Sequence, residues 1–592
     1  MAKRGITIIF TLLGVAVLLS IGVFVLLYLF VGRAPSVPGT AMLTLELGGD
    51  LTEVAPSDVV SYVRGASTPT LSLVTDTLRK AKVDGRVTSV LLKLTGFTTP
   101  YWGKVQEIRD AIVDFKRSGK PVYAFMEYGG DRDYYLATAA DKVFLLPSSP
   151  LDFSGIATYT VFLRGTFDKF GVYPDIHHIG DYKTASNQFT EKHYTAAHKE
   201  MDESLNRDLF DQIVHGVAEG RKRTDDEIRA LVDQGPFLAA QALRAGLIDG
   251  ASYEDEVAQA LRDLHKERQP RDLKGEDYAR VTLSSLGLNK GSRVAVIYAA
   301  GAITGGRSGY DPLNGSTMGS DTLIESIRQA RKDSSIKAIV LRIDSPGGSA
   351  SASDEIWHEL MLVKKERPGV PLVASMSDLA ASGGYYIAMP AEAIVAQPAT
   401  LTGSIGIFGG KFVTGGLYEQ LGANIESTSI GKHAEMNSPV RPFNADETKK
   451  LDEQLRAFYD DFVRRAAESR HTTFEKIDGL ARGRVWTGLQ AKENGLVDEI
   501  GGLGRAVAIA KEKAKIPADQ DVEIVPYPAP KGLYEILSGE LSGSSANASA
   551  VDAWLSRRLT AVDRQLLRSL SGPGTLFKRG EALALMPVAY LR

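Results

Sequence analysis

Cysteine is absent from all 592 residues, which removes disulfides, thiolate nucleophiles and cysteine-ligated zinc or iron–sulfur centres from consideration. Basic charge is not in excess either: 69 Lys and Arg stand against 72 Asp and Glu, a net charge of −3. Nucleic acid would require a basic face, so no nucleic-acid partner is expected. The nine histidines form no H-x-x-x-H pair and no local Ser-His-Asp signature, and no metal or cofactor is expected. One stretch lacks charge altogether. Between Arg4 and Arg33 every residue is uncharged and nearly all are apolar. A bilayer core takes about 20 such residues in a helix, whereas a cleaved signal peptide carries a shorter apolar region of roughly 7–15 residues. Residues 1–33 are therefore expected to form an uncleaved N-terminal transmembrane anchor. Lys3 and Arg4 precede it and acidic Glu46, Asp50 and Glu53 follow, which places the N-terminus in the cytoplasm and the remainder on the outer side.

What is present is the same pattern twice. Slid by 251 positions (382 − 131), Asp131–Lys183 lands without a gap on Ser382–Ala434. Tyr134-Tyr135 falls on Tyr385-Tyr386, Pro147 on Pro398, Gly155-Ile156 on Gly406-Ile407 and Gly180 on Gly431. Matches at glycine, proline and aromatic positions preserve backbone geometry. At the ends of the window the copies differ: Asp131 faces Ser382, and Lys183 faces Ala434. Each copy thus offers half of a possible Ser/Lys pair.

A chain of this length exceeds one core. Short β-branched runs such as VTSVLLKL (Val87–Leu94) and IKAIVLRI (Ile336–Ile343) alternate with helical patterns, which argues for a parallel α/β sheet in each copy. The expected organisation is an anchor over 1–33, a first repeat over 42–250 and a helical linker over 251–291. A second repeat over 292–516 and a tail over 517–592 follow. In the tail Leu555, Leu559, Val562, Leu566 and Leu570 recur at helical spacing beside arginines, the pattern of an amphipathic helix docking on protein.

Two segments of the second copy are equipped for chemistry. DSPGGS (Asp344–Ser349) follows a strand, and its paired glycines, Gly347 and Gly348, let backbone amides approach a ligand oxygen. The first copy has no paired glycines there. SGGYYIA, from Ser382, opens a helix, and its serine is either an ordinary N-cap or a nucleophile with the Gly383 amide beside it. A serine needs a base. His193, His198, His215, His265, His358 and His471 lie in polar, helix-like surroundings and read as solvated surface. Lys183, in GDYKTAS, is the candidate if burial lowers its pKa; otherwise it is a solvated surface lysine. Lys432 is the reserve.

Together, DSPGGS, SDLAASGGYYIA, TLTGSIGIFG, GDYKTAS and WTGLQAKENGLVDEIGG resemble signal peptide peptidase A in its long, double-repeat, membrane-anchored form. The resemblance covers about Met42–Ile516. It implies two tandem repeats of ββα units of the Clp protease/crotonase superfold. It further implies a nucleophile at Ser382, a base at Lys183, an orienting serine at Ser404, and oxyanion donors from Gly383 and the Gly347–Gly348 turn. It also implies a homotetramer in a bacterial inner membrane, acting on hydrophobic peptides such as signal-peptide remnants. Ala380, Ala381, Ile387 and Ala388 are expected to line a shallow apolar groove for them. A non-catalytic membrane scaffold and a crotonase-type acyl-CoA lyase are the alternatives.

Overall fold

The computed structural model describes residues 36–54, 70–265, 269–311, 315–529, 581–587 and 590–591, with isolated helical positions at 14 and 22. The anchor expected over 1–33 and the amphipathic helix expected around Leu555–Leu570 lie outside the described residues. Among the described residues no helix is long and apolar enough to cross a membrane.

The first repeat contains β1 (Ala41–Gly49), α1 (Leu71–Val83), β2 (Val87–Phe97), α2 (Gly103–Lys116) and β3 (Val122–Met126). It continues through α3 (Asp131–Ala137), β4 (Lys142–Leu145), β5 (Thr158–Tyr159), β6 (Tyr173–Ile179) and α4 (Ala196–Arg221). It closes with β7 (Gly250–Ala251), α5 (Glu254–Asp263) and β8 (Arg271–Lys274). The second repeat begins β9 (Ser292–Ala300), α6 (Ser320–Lys332), β10 (Ile336–Ser345), β11 (Gly347–Ser349), α7 (Ala350–Glu366) and β12 (Leu372–Ala381). There follow α8 (Gly383–Ala388), β13 (Ala393–Ala396), β14 (Leu401–Gly403), β15 (Ile407–Val413), α9 (Ala445–Ser469) and β16 (Val485–Thr487). Finally come β17 (Glu499–Ile500), α10 (Leu503–Lys513), β18 (Val522–Tyr527) and two short C-terminal strands, β19 (Leu583–Leu585) and β20 (Tyr590–Leu591).

The two main sheets have one topology. The first runs β8-β1-β2-β3-β4-β7 and is parallel throughout. The second runs β18-β9-β10-β12-β13-β17, again parallel, with β14 and β16 added beyond the C-terminal half of β12. Parallel strands covered by helices on both faces read as continuous apolar runs, and every residue of β12 is buried. The tandem α/β duplication expected from the sequence is therefore present, with wider limits. The stretch 251–291, expected as a linker, contains α5 and β8, and β8 pairs with β1 from Ala41↔Arg271 to Thr44↔Lys274. In the same way β18, expected in the tail, pairs with β9. Each repeat needs that last strand to cover the edge of its first one.

Two features lock the repeats together. The first is a third sheet, in which β15 of the second repeat pairs antiparallel with β6 of the first from Ile407↔Ile179 to Val413↔Tyr173. The second is a buried ionic cluster. Arg342 on β10 donates to Glu53 at 2.8 Å, to Glu107 at 2.8 Å and to Ser375 at 2.9 Å. Nearby Lys104 on α2 meets Asp344 at 2.6 Å and Asp378 at 3.2 Å. Burial alone would raise the Glu53 carboxyl, but the Arg342 charge and hydrogen bonds outweigh it and hold it below the usual carboxylate range.

An arginine paired with two buried carboxylates cannot be removed cheaply. Arg342→Met strands both, and the cost is expected to be roughly 3–5 kcal/mol, read as a lower urea midpoint. Because the Glu53 pKa is lowered on folding, its contribution is present above the ordinary carboxylate range and fades only as acid titrates it. An unfolding free energy within about 1 kcal/mol of wild type would contradict the role assigned to the cluster.

Candidate active site

Strand β12 ends on Ala381, and the chain reverses sharply into α8. Ser382 sits at the reversal with φ +56° and ψ −112°, a strained conformation for a non-glycine residue. Its amide donates to Gly403 O at 2.7 Å, and its own carbonyl accepts from Tyr386 N at 2.9 Å. These bonds fix the hydroxyl at the end of a fully buried strand.

Lys183 reaches the same point from the other repeat. The β15–β6 pairing delivers the chain to Gly180, and Lys183 follows within one turn. Its Nζ lies 2.8 Å from Ser382 Oγ, 3.0 Å from Ser404 O and 3.1 Å from Ser404 Oγ. Lys183, Ser382 and Ser404 are all completely buried. Burial drives the Lys183 amine well below its ordinary pKa. A neutral amine has two N–H groups and one lone pair, so the two contacts to Ser404 leave the lone pair for the Ser382 hydroxyl.

The structure brings Gly347 and Gly383 to the same place. Gly347 has φ +99° and Gly348 φ +154°, conformations suited to glycine. A methyl group on Gly347 would lie 2.7 Å from the Gly383 nitrogen. All the residues expected at the site therefore converge. Lys432 does not: it is exposed and pairs with Asp446 at 2.8 Å. His198, expected on the surface, is buried between the Phe162 and Tyr194 rings, and burial lowers its pKa to about 4. Ala380, Ile387 and Ala388 belong to the second-repeat core, and Ala381 alone joins a separate apolar cluster. That cluster is built instead from Met201, Leu379, Leu401 and Val485.

The first repeat cannot form its own site. Asp133, the counterpart of Gly384, accepts from the Gly96 and Phe97 amides at 3.1 and 3.4 Å. The chain's own carboxylate thus fills this turn in the first repeat. Burial raises the Asp133 pKa to about 6 against those amide bonds. At the other mismatch, Ala434 is exposed.

One residue at the site carried no sequence signal. Gly483 has φ +85°, and a Cβ there would fall on the Lys183 backbone. Its amide donates to Ile405 O at 2.8 Å, and the neighbouring Arg482 carbonyl accepts from Tyr182 N at 3.0 Å. ARGRVWTG therefore forms the floor on which the lysine rests.

The model of peptidase family S49 matches residues 114–268 and 364–517, one match in each repeat. The chain is 37% identical over 84% of its length to the Arabidopsis thaliana "Serine protease SPPA, chloroplastic", covering 73% of that protein. It is 35% identical over 75% of its length to "Protease 4" of Salmonella typhi, covering 72% of it. Against "Protease 4" of Haemophilus influenzae the identity is 29%, over 79% of this chain and 77% of that one.

Two outcomes follow from this geometry. Gly483→Ala should lower peptidase turnover by on the order of 10-fold or more by displacing Lys183, and turnover equal to wild type would contradict the packing described. Lys183→Met should give a more stable fold near neutral pH, since no proton need be shed on burial. The folded lysine pKa is below the unfolded one, so wild-type stability rises with pH toward the ordinary lysine range. Denaturant unfolding at about pH 7 and about pH 9 should show a slope in wild type that is smaller in the variant.

Proposed function

Because the chain belongs to peptidase family S49 and is a serine peptidase resembling signal peptide peptidase A, we propose that it works through a Ser382/Lys183 dyad on hydrophobic peptides. The observation that carries this reading is the 2.8 Å approach of a completely buried amine, its pKa lowered by that burial, to a strained serine hydroxyl. In the proposed cycle Nζ takes the proton of Ser382 as Oγ attacks a peptide carbonyl. The Gly383 amide and the Gly347–Gly348 turn hold the resulting oxyanion, where loss of one donor costs about 3 kcal/mol. The Lys183 ammonium then protonates the leaving nitrogen, and the C–N bond breaks. Water, deprotonated by the same amine, cleaves the acyl–Oγ bond and restores the serine. Ser404 orients the amine throughout.

The segment over 1–33, uncharged between Arg4 and Arg33, is proposed to tether the enzyme in a bacterial inner membrane with its catalytic part on the outer side. Signal-peptide remnants in the bilayer are the substrates this placement favours. A homotetramer is the proposed assembly. In the second repeat residues 424–430, the counterpart of β6, form no strand, and Leu421, Ile425 and Ile430 are 72%, 46% and 100% exposed. An edge that pairs across repeats in one half and stands open in the other suits a neighbouring copy.

Ser382→Ala and Lys183→Ala should each reduce peptide hydrolysis by on the order of 10³-fold or more. Lys432→Ala should stay within about twofold of wild type. As base, Lys183 must be deprotonated, so kcat/KM should rise with pH through an ionisation well below the ordinary lysine range and then level off. Undiminished turnover in Lys183→Ala would refute the dyad. Ile430→Asp should lower the assembly mass in mass photometry, and an unchanged mass would remove that edge from the interface.

A further inference from the structure

The third sheet contains a strand from the far end of the chain. Between β11, which carries Gly347 and Gly348, and β15 lies β19, antiparallel to both. Its register is Gly347↔Leu585, Gly348↔Ala584 and Ser349↔Leu583 on one side and Phe408↔Leu583 on the other. Met586 N donates to Pro346 O at 2.8 Å, and Ala350 N donates to Ala582 O at 3.3 Å. Hydrogen-bonded pairs in an antiparallel ladder recur at every second residue. Gly348 and Ala584 are therefore the pair between these two, and the Ala584 carbonyl meets the Gly348 amide. A methyl group on Gly383 would lie 3.2 Å from that same carbonyl oxygen. An extended peptide thus sets one of its carbonyls among the backbone groups that flank Ser382.

The segment is held at both ends. Glu581 accepts from Ser351 Oγ at 2.8 Å and from Ser349 Oγ, the N-cap of the 17-residue helix α7. A carboxylate is favoured at such a helix start. At the other end Met586, 3% exposed, enters the apolar cluster of Met201, Leu379, Ala381, Leu401 and Val485. The tail then crosses to the first repeat, where Tyr590↔Tyr159 and Leu591↔Thr158 join β20 to β5. In sequence, residues 530–580 lie between this segment and the end of the second sheet.

We propose that residues 581–587 are a built-in occupant of the peptide groove, and that substrate peptides bind in the same antiparallel register after displacing it. The proposal rests on Ser382 as the nucleophile. It adds that the free groove is a fraction of the population, so apparent affinity is lowered by that fraction. It also assigns the recognised ligand: an extended peptide of small and aliphatic residues, like ALALM, with a long apolar side chain in the pocket that Met586 fills.

The test compares the full chain with a chain ending at residue 580 and with full-length Met586→Asp. Both variants should show a KM lower by about 10-fold with kcat nearly unchanged, and faster labelling of Ser382 by a fluorophosphonate. The synthetic peptide EALALMP should inhibit the shortened chain competitively and leave the full chain almost unaffected. Equal KM values in all three proteins would overturn the proposal. So would a folded short chain, checked by circular dichroism, whose kcat collapses, because β19 would then be part of the framework. Binding of fluorescein-labelled EALALMP to the shortened Ser382→Ala chain separates the two readings. Binding there, with no fluorophosphonate labelling of the shortened chain that keeps Ser382, would uphold the groove and refute the nucleophile, and absence of binding would refute the groove whatever the labelling shows.

Discussion

A lysine amine acts as a base near neutral pH only where water is excluded, and that requirement organises the region around Lys183. Excluding water costs free energy for every polar group involved, so the contacts that surround the amine must be supplied by rigid backbone. Ser404 contributes its carbonyl and hydroxyl, Gly483 the floor, and Ser382 the remaining contact. No single repeat provides this enclosure. It exists because β6 of one repeat is threaded beside β15 of the other and because Arg342 and Lys104 pair with four carboxylates across the same seam. Stability at the seam and the depressed basicity of the amine are thus two results of one arrangement.

The duplication has a division of labour written at the level of single turns. Where the second repeat sets paired glycines beside Ser382, the first has Asp133 filling its own amides. Where the first repeat turns its strand inward to present Lys183, the second leaves residues 421–430 exposed. Both halves keep the same main-sheet order, so each remains a competent scaffold while holding part of the site. The differences that divide the site between the repeats lie beyond the C-terminal ends of the parallel strands, the region where α/β sheets place their ligands.

Much of this was legible in the chain itself. The internal match pointed to two α/β units, and its two mismatched ends pointed to Ser382 and Lys183, because glycine-rich turns after buried strands leave a mark in sequence. Parts fixed by tertiary context left none. The strands β8 and β18 are short and carry charges or prolines, so they read as linker and tail although each covers a sheet edge. His198 follows two alanines on a mostly polar helix, and only the packing of Phe162 and Tyr194 over it makes it a buried residue. Ile387 and Ala388 look like groove residues from their nearness to Ser382 in sequence, but one helical turn carries them into the core. Gly483 and Leu583–Leu585 lie far along the chain from the residues they touch, and no local pattern announces such contacts.

Burial that lowers the Lys183 pKa should leave its side chain an unprotonated amine in the folded protein. Its protonation state can be read directly by a heteronuclear NMR titration of selectively labelled lysine, with Lys183→Met to assign the signal. A single lysine resonance is expected in the neutral amine position at about pH 7, titrating well below the others and missing from the variant. A Lys183 signal that stays in the ammonium position until about pH 10, alongside the surface lysines, would contradict it.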